Sequence, residues 1–542
     1  MVNSIIFSIF YIFIYLIGRG FTLLYIKLNK SNLSHFKINK YSHFFPLLGL
    51  FIFGELKLIF NYFTEANFYL FFVVLIGVFL NIFQKSLYKE SIGMQIVIAF
   101  ILGISSNTIN FSFDAGLYHL NTQSWLNESK IIFGLTNLHS RYGYSSFIDY
   151  INSNTWIFNN FLFQHFTNLI FIVCFFSFLY KCLFNIEFKN YKIASLIILA
   201  FGLLDNVGVS GGRNGFIDIE AVSKQDTPFA ISNFFLLVYL TFYFLNKDEE
   251  KNENFFIILF FFLLSVQLRV FALAMTPIIL FLFIKEFYKK KKSTKYKLNT
   301  CFLILLGLFW VIKNYIISSC LFYPISFTCI PNNTWFSKNN AINETNDLRS
   351  FHIAFDFESN NIIDWFNLWS QKPINYTVTI NFIISFLILL IFSILFTSRK
   401  KSDLYFFKYL IPIYLFSVWT ISSPSIRMGL VIFLISVFYI GIEREELNSF
   451  FDKKFILHLL FFTTIIFLPR IDNYKVLINN PLKITQLMPP VIEYYNQSET
   501  IFWGLRSSQG TQCWINLDCV PEPVVIEEDS ISTYRMFKKI DE

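Results

Sequence analysis

Acids, histidines and an arginine gather in one stretch of an otherwise apolar chain, residues 113–146, FDAGLYHLNTQSWLNESKIIFGLTNLHSRYGYSS. An acid close to a histidine suits proton abstraction or the binding of a divalent metal, so Asp114 and His119 are candidates for either role. If the chain is helical from Asp114, Tyr118 lies one turn beyond it. A simpler alternative is that Asp114 caps the helix that follows it.

The second half of this stretch, LTNLHSRYGYSS, is typical of turns because glycine, asparagine and serine interrupt its periodicity. It contains His139 and Arg141, which could bind a phosphate or a sugar of the substrate. The alternative is that both side chains contact lipid headgroups. The sequence therefore predicts that this loop lines a site at the edge of a membrane.

Four further basic residues lie near the ends of apolar segments: Arg213, Arg269, Lys313 and Arg427. A charge inside a membrane is costly unless it is paired or solvated, so such residues are functional candidates. An arginine can hold a phosphate through two parallel hydrogen bonds. The alternative is that each side chain extends outward to the headgroups. Four acids of one loop could pair with these arginines: Asp205, Asp218, Glu220 and Asp226.

Membrane-spanning helices must position these residues. The 542-residue chain is 55% hydrophobic and 15% charged, with a mean hydropathy of +0.52. Apolar runs of about 17–25 residues recur along it. The sequence predicts an all-α polytopic membrane protein of about fourteen transmembrane helices, in the range of roughly 11–14. The predicted spans lie near 4–26, 44–62, 67–84, 92–107, 160–180, 193–206, 229–245, 254–268, 270–287, 299–317, 376–397, 405–421, 427–442 and 455–469.

Lysine and arginine are unevenly divided between two alternating sets of loops, 25 in one set and 9 in the other by our count. The positive-inside rule places the richer set in the cytoplasm. The loops 108–159, 205–228 and 318–375 and the tail 470–542 then lie outside and cap a transmembrane domain of residues 1–469. Because the basic residues lie in short loops between spans, the net charge of +8 does not indicate a nucleic-acid partner.

Four cysteines form two close pairs in the predicted outer segments, Cys320 with Cys329 and Cys513 with Cys519. An oxidising exterior permits disulfides, and neither pair has the two-residue spacing of a zinc knuckle. At least one of the two pairs is predicted to be bridged.

The arrangement resembles C-type glycosyltransferases, polytopic enzymes that use polyprenyl-phosphate-linked sugars. In that class an essential acid lies in the first large outer loop, next to amphipathic helices, and Asp114 matches it by position. The resemblance covers the membrane core and implies a C-type glycosyltransferase-like fold.

The chain is also similar to a family of bacterial polytopic proteins without an assigned reaction, found in sets of surface-polysaccharide genes. The similarity spans most of the chain. It rests on DAGLYHLNTQSWL with GLTNLHSRYGYSS (114–146), IKNYIISSCLFYP (312–324), SSPSIRMG (422–429) and QCWINLDCVP (512–521). That family often has lysine where Arg269 stands, which keeps the charge.

The sequence contains no HExxH, GxSxG, Walker or dinucleotide-binding motif, so nucleotide chemistry is not indicated. We expect a glycosyltransferase in the cytoplasmic membrane that takes a polyprenyl-phosphate-linked sugar and a glycan acceptor at its outer face. Asp114, assisted by His119, would be the base or the ligand of a divalent metal. Tyr118 and the basic residues would bind substrate. The alternatives are a polysaccharide polymerase or ligase without a carboxylate base, and a transporter of lipid-linked glycans.

Overall fold

The structure is a computed structural model, and it describes most of the chain. The described residues are 1–28, 41–65, 69–83, 92–144, 146–156, 160–185, 188, 191–196, 198–199, 221–222, 224–245, 248–288, 294–356, 361–372, 375, 410–442, 484–497 and 502–540. Predicted spans 376–397 and 455–469 lie outside them, as do most of span 193–206 and of the loop 205–228.

The protein is mostly helical. Its helices are α1 Val2–Leu28, α2 Phe45–Asn61, α3 Tyr69–Phe83, α4 Ile92–Leu102, α5 Leu120–Glu128, α6 Phe147–Ser153, α7 Leu162–Phe184, α8 Asp226–Leu245, α9 Asp248–Leu268, α10 Thr276–Tyr288, α11 Thr294–Ser318, α12 Lys338–His352, α13 Ile362–Ser370, α14 Ile411–Ser422 and α15 Ile426–Ile442. Within the described residues, three two-stranded sheets accompany them: β1 Asn110–Phe111 with β2 Ala221–Val222, β3 Tyr494–Asn496 with β4 Leu505–Ser507, and β5 Ile526–Ile531 with β6 Tyr534–Lys539.

The helices fit an all-α membrane protein. Within the described residues, six are long and apolar enough to cross a membrane: Val2–Tyr25, Ser42–Asn61, Leu162–Phe184, Asp226–Phe244, Val270–Phe287 and Thr300–Ser318. Four other apolar helices are shorter: Phe71–Asn81, Ile92–Asn107, Glu253–Leu268 and Ile411–Ser422. The described residues thus contain fewer full-length spans than the fourteen expected of the chain, because several apolar runs form helices shorter than a bilayer and some predicted spans lie outside these residues.

The loop 108–159 lies over one end of the helical bundle. Three hydrogen bonds join it to the C-terminal ends of α2, α11 and α9: Asn61 Nδ2 to Ser129 O at 2.9 Å, Gly134 N to Ile316 O at 3.0 Å, and Ser146 Oγ to Leu268 O at 3.1 Å. At the opposite end of the bundle, Lys181 Nζ of α7 donates to Ser42 Oγ before α2 at 2.6 Å. Helix α7 therefore runs antiparallel to α2.

The described part of the tail packs on the same loop. Phe133 N donates to Arg535 O at 3.0 Å, and Phe537 N donates to Phe133 O at 2.9 Å, so residue 133 lies beside strand β6. Asn137 Nδ2 also donates to Phe537 O at 2.8 Å. These contacts join the tail to the loop in one polar assembly at one end of the bundle.

Glycines let the first two helices approach closely. A Cβ added at Gly18 of α1 would lie 1.7 Å from Phe45 O, and one at Gly49 of α2 would lie 2.3 Å from Ile14 O. Small residues at such crossings are typical of membrane helices, whose association depends on close packing rather than on exclusion of water. The surrounding core is largely aromatic, with ring pairs such as Phe44 and Phe235 at 4.9 Å.

Candidate functional site

A π-helical turn, Ala115–His119, carries the first candidate residues into the site. Such turns insert one extra residue into a helix and are frequent at functional sites. The helix begins before Asp114, because Ala115 N donates to Ser112 Oγ at 3.2 Å. Asp114 is itself helical and makes no side-chain cap hydrogen bond. The capping alternative is therefore excluded, and the carboxylate of Asp114 projects from a helix that another residue caps.

Arg141 lies between two carboxylates. Its Nη1 is 3.6 Å from Asp114 Oδ1, and its Nε is 3.8 Å from Glu344 Oε1. The side chains of Arg141 and Asp114 are each 38% exposed, whereas Glu344 is 4% exposed. Both ionic contacts exceed hydrogen-bond length, so the guanidinium is held by charge while it remains open to solvent.

Glu344 comes from α12 and was not expected from the sequence. Ser140 Oγ donates to its Oε2 at 2.5 Å, and Tyr144 OH donates to its Oε1 at 2.9 Å. Burial raises the pKa of Tyr144 well above its usual range, and the charge of Glu344 adds to the rise. Tyr144 is therefore a hydrogen-bond donor at neutral pH. No sequence motif marks Glu344, because its partners lie some 200 positions earlier.

Arg269 pairs with Asp226, one of the acids that the sequence offered as partners for the arginines. Arg269 follows α9 in an extended conformation, and Asp226 begins α8. Burial raises the pKa of Tyr118, and the negative charge of Asp114 adds to that rise. The positive charges of Arg269 and Arg141 act in the opposite direction. Tyr118 therefore lies within electrostatic reach of Asp114 and of both arginines.

His119 belongs to a second, buried network and not to Asp114. Its Nδ1 lies 3.0 Å from Asp149 Oδ1, and the two residues are 3% and 1% exposed. Gln123 Nε2 donates to Asp149 Oδ1 at 3.1 Å, and Ser146 N donates to Asp149 Oδ2 at 3.1 Å. The expected cooperation of His119 with Asp114 thus gives way to an aspartate–histidine pair, which orients the imidazole through Nδ1.

Asp149 was not expected from the sequence, although the residues around it carry a signal. Ser146 and Asp149 form a capping box at the start of α6, and the spacing Ser-x-x-Asp before an apolar run is the pattern of such a box. That pattern predicts that the carboxylate of Asp149 caps the start of α6. The bond to His119 depends on how α6 packs against the π-helical turn, and local sequence does not encode it.

His139 and Lys313 lie deeper than expected for contacts with substrate. Burial lowers the pKa of His139 to about 3, and the charge of Arg141 lowers it further, so the ring is neutral. Its Nε2 is buried and has no hydrogen-bond partner among the described residues. Lys313 has no exposed surface and lies 3.9 Å from the ring centre of Trp310. Extension of Lys313 to the headgroups is therefore excluded.

Two buried ionisable residues of α2 were also missed. Glu55 Oε1 accepts a hydrogen bond from Gln267 Nε2 at 2.6 Å, and Lys57 Nζ donates to Asn127 Oδ1 at 3.1 Å. Both residues lie in the candidate span Ser42–Asn61 and are buried. The charges in FGELKLIF were the signal, since ionisable residues inside a span are functional candidates by default.

The structure bears on the predicted metal site but not on all of the predicted phosphate site. Within the part of the chain that the structure describes, no three histidine, cysteine, aspartate or glutamate side chains gather as metal ligands. Asp114 and His119 instead have separate protein partners. Arg213 and the side chain of Arg427 lie outside the described residues, so their expected place beside Asp114 stays a prediction.

Both predicted cysteine pairs are disulfide-bonded in the structure. The Cα atoms are 3.7 Å apart in Cys320–Cys329 and 5.4 Å apart in Cys513–Cys519. The first bridge lies just after α11, where Cys320 and Tyr323 share a small apolar cluster.

The segment closed by the second bridge packs on the π-helical turn. Trp514 N donates to Gly116 O at 2.8 Å, and Ser124 Oγ donates to Ile515 O at 3.0 Å. A Cβ at Gly116 would lie 2.2 Å from Gln512 Oε1 and 2.8 Å from the ring of Trp514, so a larger residue would require these side chains of the tail to move. The tail therefore supports the turn that carries Tyr118 and His119.

Comparison with known proteins gives one match. The family model described as "Domain of unknown function (DUF8201)" matches residues 1–434 of the 542-residue chain. No curated protein and no solved structure matches the chain. The match includes the whole of the site described above except the tail segment that packs on the π-helical turn.

Proposed function

The chain belongs to the family described as a domain of unknown function, DUF8201, and we propose that it is an integral-membrane glycosyltransferase that uses a polyprenyl-phosphate-linked sugar. The reaction takes place at the extracytoplasmic face of the cytoplasmic membrane, in the assembly of surface polysaccharide or another glycan. The proposed fold is C-type glycosyltransferase-like, and the tail lies outside.

One observation carries this proposal: Asp114 is a half-exposed carboxylate that caps no helix and lies beside a half-exposed arginine. A carboxylate with only a loose ionic contact can exchange that contact for a substrate at small cost, since exposed ion pairs contribute about 0–1 kcal/mol. Arg269, paired with Asp226, lies close enough to act on the same tyrosine, Tyr118. Acid and cations thus occur together at one end of the bundle.

The arginines suit the phosphate of the donor. A guanidinium has five N–H donors and can bind a phosphate through two of them. The contacts of Arg141 with Asp114 and Glu344, at 3.6 and 3.8 Å, leave its donors available. Arg213 and Arg427 are proposed to complete this phosphate site. The phosphate would lie at headgroup level while the polyprenyl chain stays in the hydrocarbon.

Asp114 is the proposed base. As the acceptor oxygen attacks the anomeric carbon, its proton passes to the carboxylate and a new glycosidic C–O bond forms. The bond between the anomeric carbon and the phosphate oxygen breaks, and the polyprenyl phosphate leaves with the electron pair. Arg141 and Arg269 stabilise the negative charge of that leaving group. The excess of lysine in the opposite loops supports an outer location for Asp114.

Turnover by purified protein in lipid nanodiscs tests the proposal. The probes are polyprenyl-phosphate-linked hexoses, each offered with glycan acceptors, and the measured product is free polyprenyl phosphate. Asp114→Asn should lower the rate by about 10²–10⁴-fold, the usual contribution of a general base. Glu128→Gln is the matched control, because Glu128 is an exposed acid of the same loop outside the site.

Three outcomes would contradict the proposal in different ways. Full activity of Asp114→Asn would assign the chain to polymerases or ligases without a carboxylate base. Movement of the donor across the bilayer without turnover would identify a transporter. Equal losses in Asp114→Asn and Glu128→Gln would remove the special role of Asp114.

A further inference from the structure

Helix α13, residues Ile362–Ser370, has an apolar face that the rest of the protein covers only in part. At about 100° per residue, Trp365, Trp369, Ile362 and Phe366 follow one another within roughly 100° of the helix circumference. The two tryptophans are 5% and 1% exposed, whereas Ile362 is 64% and Phe366 39% exposed. Half of a continuous apolar arc is therefore covered by protein, and the other half faces outward.

The buried half fixes the depth of α13 along the bundle. Trp369 Nε1 donates to Pro424 O at 2.8 Å, in the turn between α14 and α15. The ring of Trp369 also lies 5.8 Å from that of Trp419 near the end of α14. Both of those helices are apolar, so we infer that they lie in the membrane and that the turn between them, with Pro424, lies at its surface. Helix α13 rests at that same depth.

The uncovered apolar surface continues from α13 down the flank of α14. Trp419 lies 5.3 Å from Phe416, which is 46% exposed, and Ile413 one turn further along is 59% exposed. An apolar surface that continues into the flank of a membrane-embedded helix has lipid as its neighbour. Two polar residues, Asp364 and Asn367, lie on the other side of α13, and both are exposed.

We propose that α13 is an interfacial helix that lies in the plane of the membrane, with lipid as the occupant of its open face. Ile362, Ile363 and Phe366 enter the boundary between headgroups and acyl chains. Asp364 and Asn367 face water. This distribution is the one by which amphipathic helices bind at an interface, and the paired tryptophans are typical of that depth.

Site-directed fluorescence quenching tests this placement. The exposed Cys301 is first replaced by serine, and bimane is attached to Ile362→Cys or to the matched control Asp364→Cys. Each labelled protein is placed in lipid nanodiscs. The quenchers are lipids brominated near the top of the acyl chain and iodide in the water. Only variants that elute as one species from size-exclusion chromatography are compared.

At Ile362 we expect strong quenching by brominated lipid and at least a fivefold weaker effect of iodide than at Asp364. Equal access of iodide to both positions would place α13 in water and overturn the proposal. Failure of both quenchers at Ile362 would show that protein, either this chain or a second copy, covers the face, which also overturns it.

Discussion

The exposed cluster around Arg141 and the buried pair of His119 with Asp149 begin within five residues of each other on one helix, yet they are built differently. Asp114 and Arg141 are 3.6 Å apart and each 38% exposed. His119 and Asp149 are 3.0 Å apart and almost fully buried. Further hydrogen bonds fix Asp149, whereas the contacts of Arg141 exceed hydrogen-bond length.

This difference in burial suggests different roles. The exposed cluster around Arg141 can exchange its partners, whereas the buried pair of His119 and Asp149 stabilises the fold. An exposed ion pair contributes about 0–1 kcal/mol, so a ligand can replace one partner. Removal of one partner from a buried pair leaves a polar group without compensation and costs about 3–5 kcal/mol. The buried pair thus holds the π-helical turn against α6, and the exposed cluster is the part proposed to bind substrate.

The largest expected effect on stability comes from replacing Asp149, and the same replacement of Asp114 gives the contrast. Asp149→Ala should lower the free energy of unfolding by about 3–5 kcal/mol, because it leaves His119 unpaired and removes the capping box of α6. Asp114→Ala should lower it by less than about 1 kcal/mol. Equilibrium unfolding in mixed detergent micelles measures both. Similar values for the two variants would show that exposure does not separate the clusters.

A pH dependence should come from the buried His139, whose pKa is also lowered by the charge of Arg141. Its pKa in the folded protein is about 3, below the ordinary 6.5. Below pH 6.5 the imidazole of His139 therefore binds a proton in the unfolded chain but not in the folded chain. As a result, the free energy of unfolding falls as the pH falls. The loss is at most about 1.4 kcal/mol per pH unit. His139→Gln should have a flatter profile between pH 6.5 and 5. Parallel profiles would mean that other groups govern this range.

The smallest effect on stability is expected for Arg141→Gln, less than about 1 kcal/mol. The same variant should bind polyprenyl phosphate at least tenfold more weakly, measured by scintillation proximity with the radiolabelled lipid. Arg349→Gln is a matched control on α12, since Arg349 contacts backbone at Phe355. Unchanged lipid binding with a large loss of stability would reverse the roles assigned to the exposed and buried parts.

Some of these contacts could be predicted from the sequence. The cysteine spacing predicted at least one of the bridges Cys320–Cys329 and Cys513–Cys519, and both are present. The acids of the loop 205–228, offered as partners for the arginines, included Asp226, the partner of Arg269. Those predictions needed only the side of the membrane and the chemistry of the residues. The partner of His119 was not predicted, because the contact between His119 and Asp149 depends on how α6 packs against the π-helical turn.

Composition and the apolar runs determined that the chain is a helical membrane protein, since burial of backbone polar groups in lipid requires helices. They also placed the polar residues at one end of the bundle. Tertiary structure decided which of them share a site. Glu344 reaches Arg141 across some 200 positions of sequence, and the tail packs on Gly116 from nearly 400 positions away. Such contacts depend on how helices cross and how loops close over them, and no local pattern of residue types encodes that geometry.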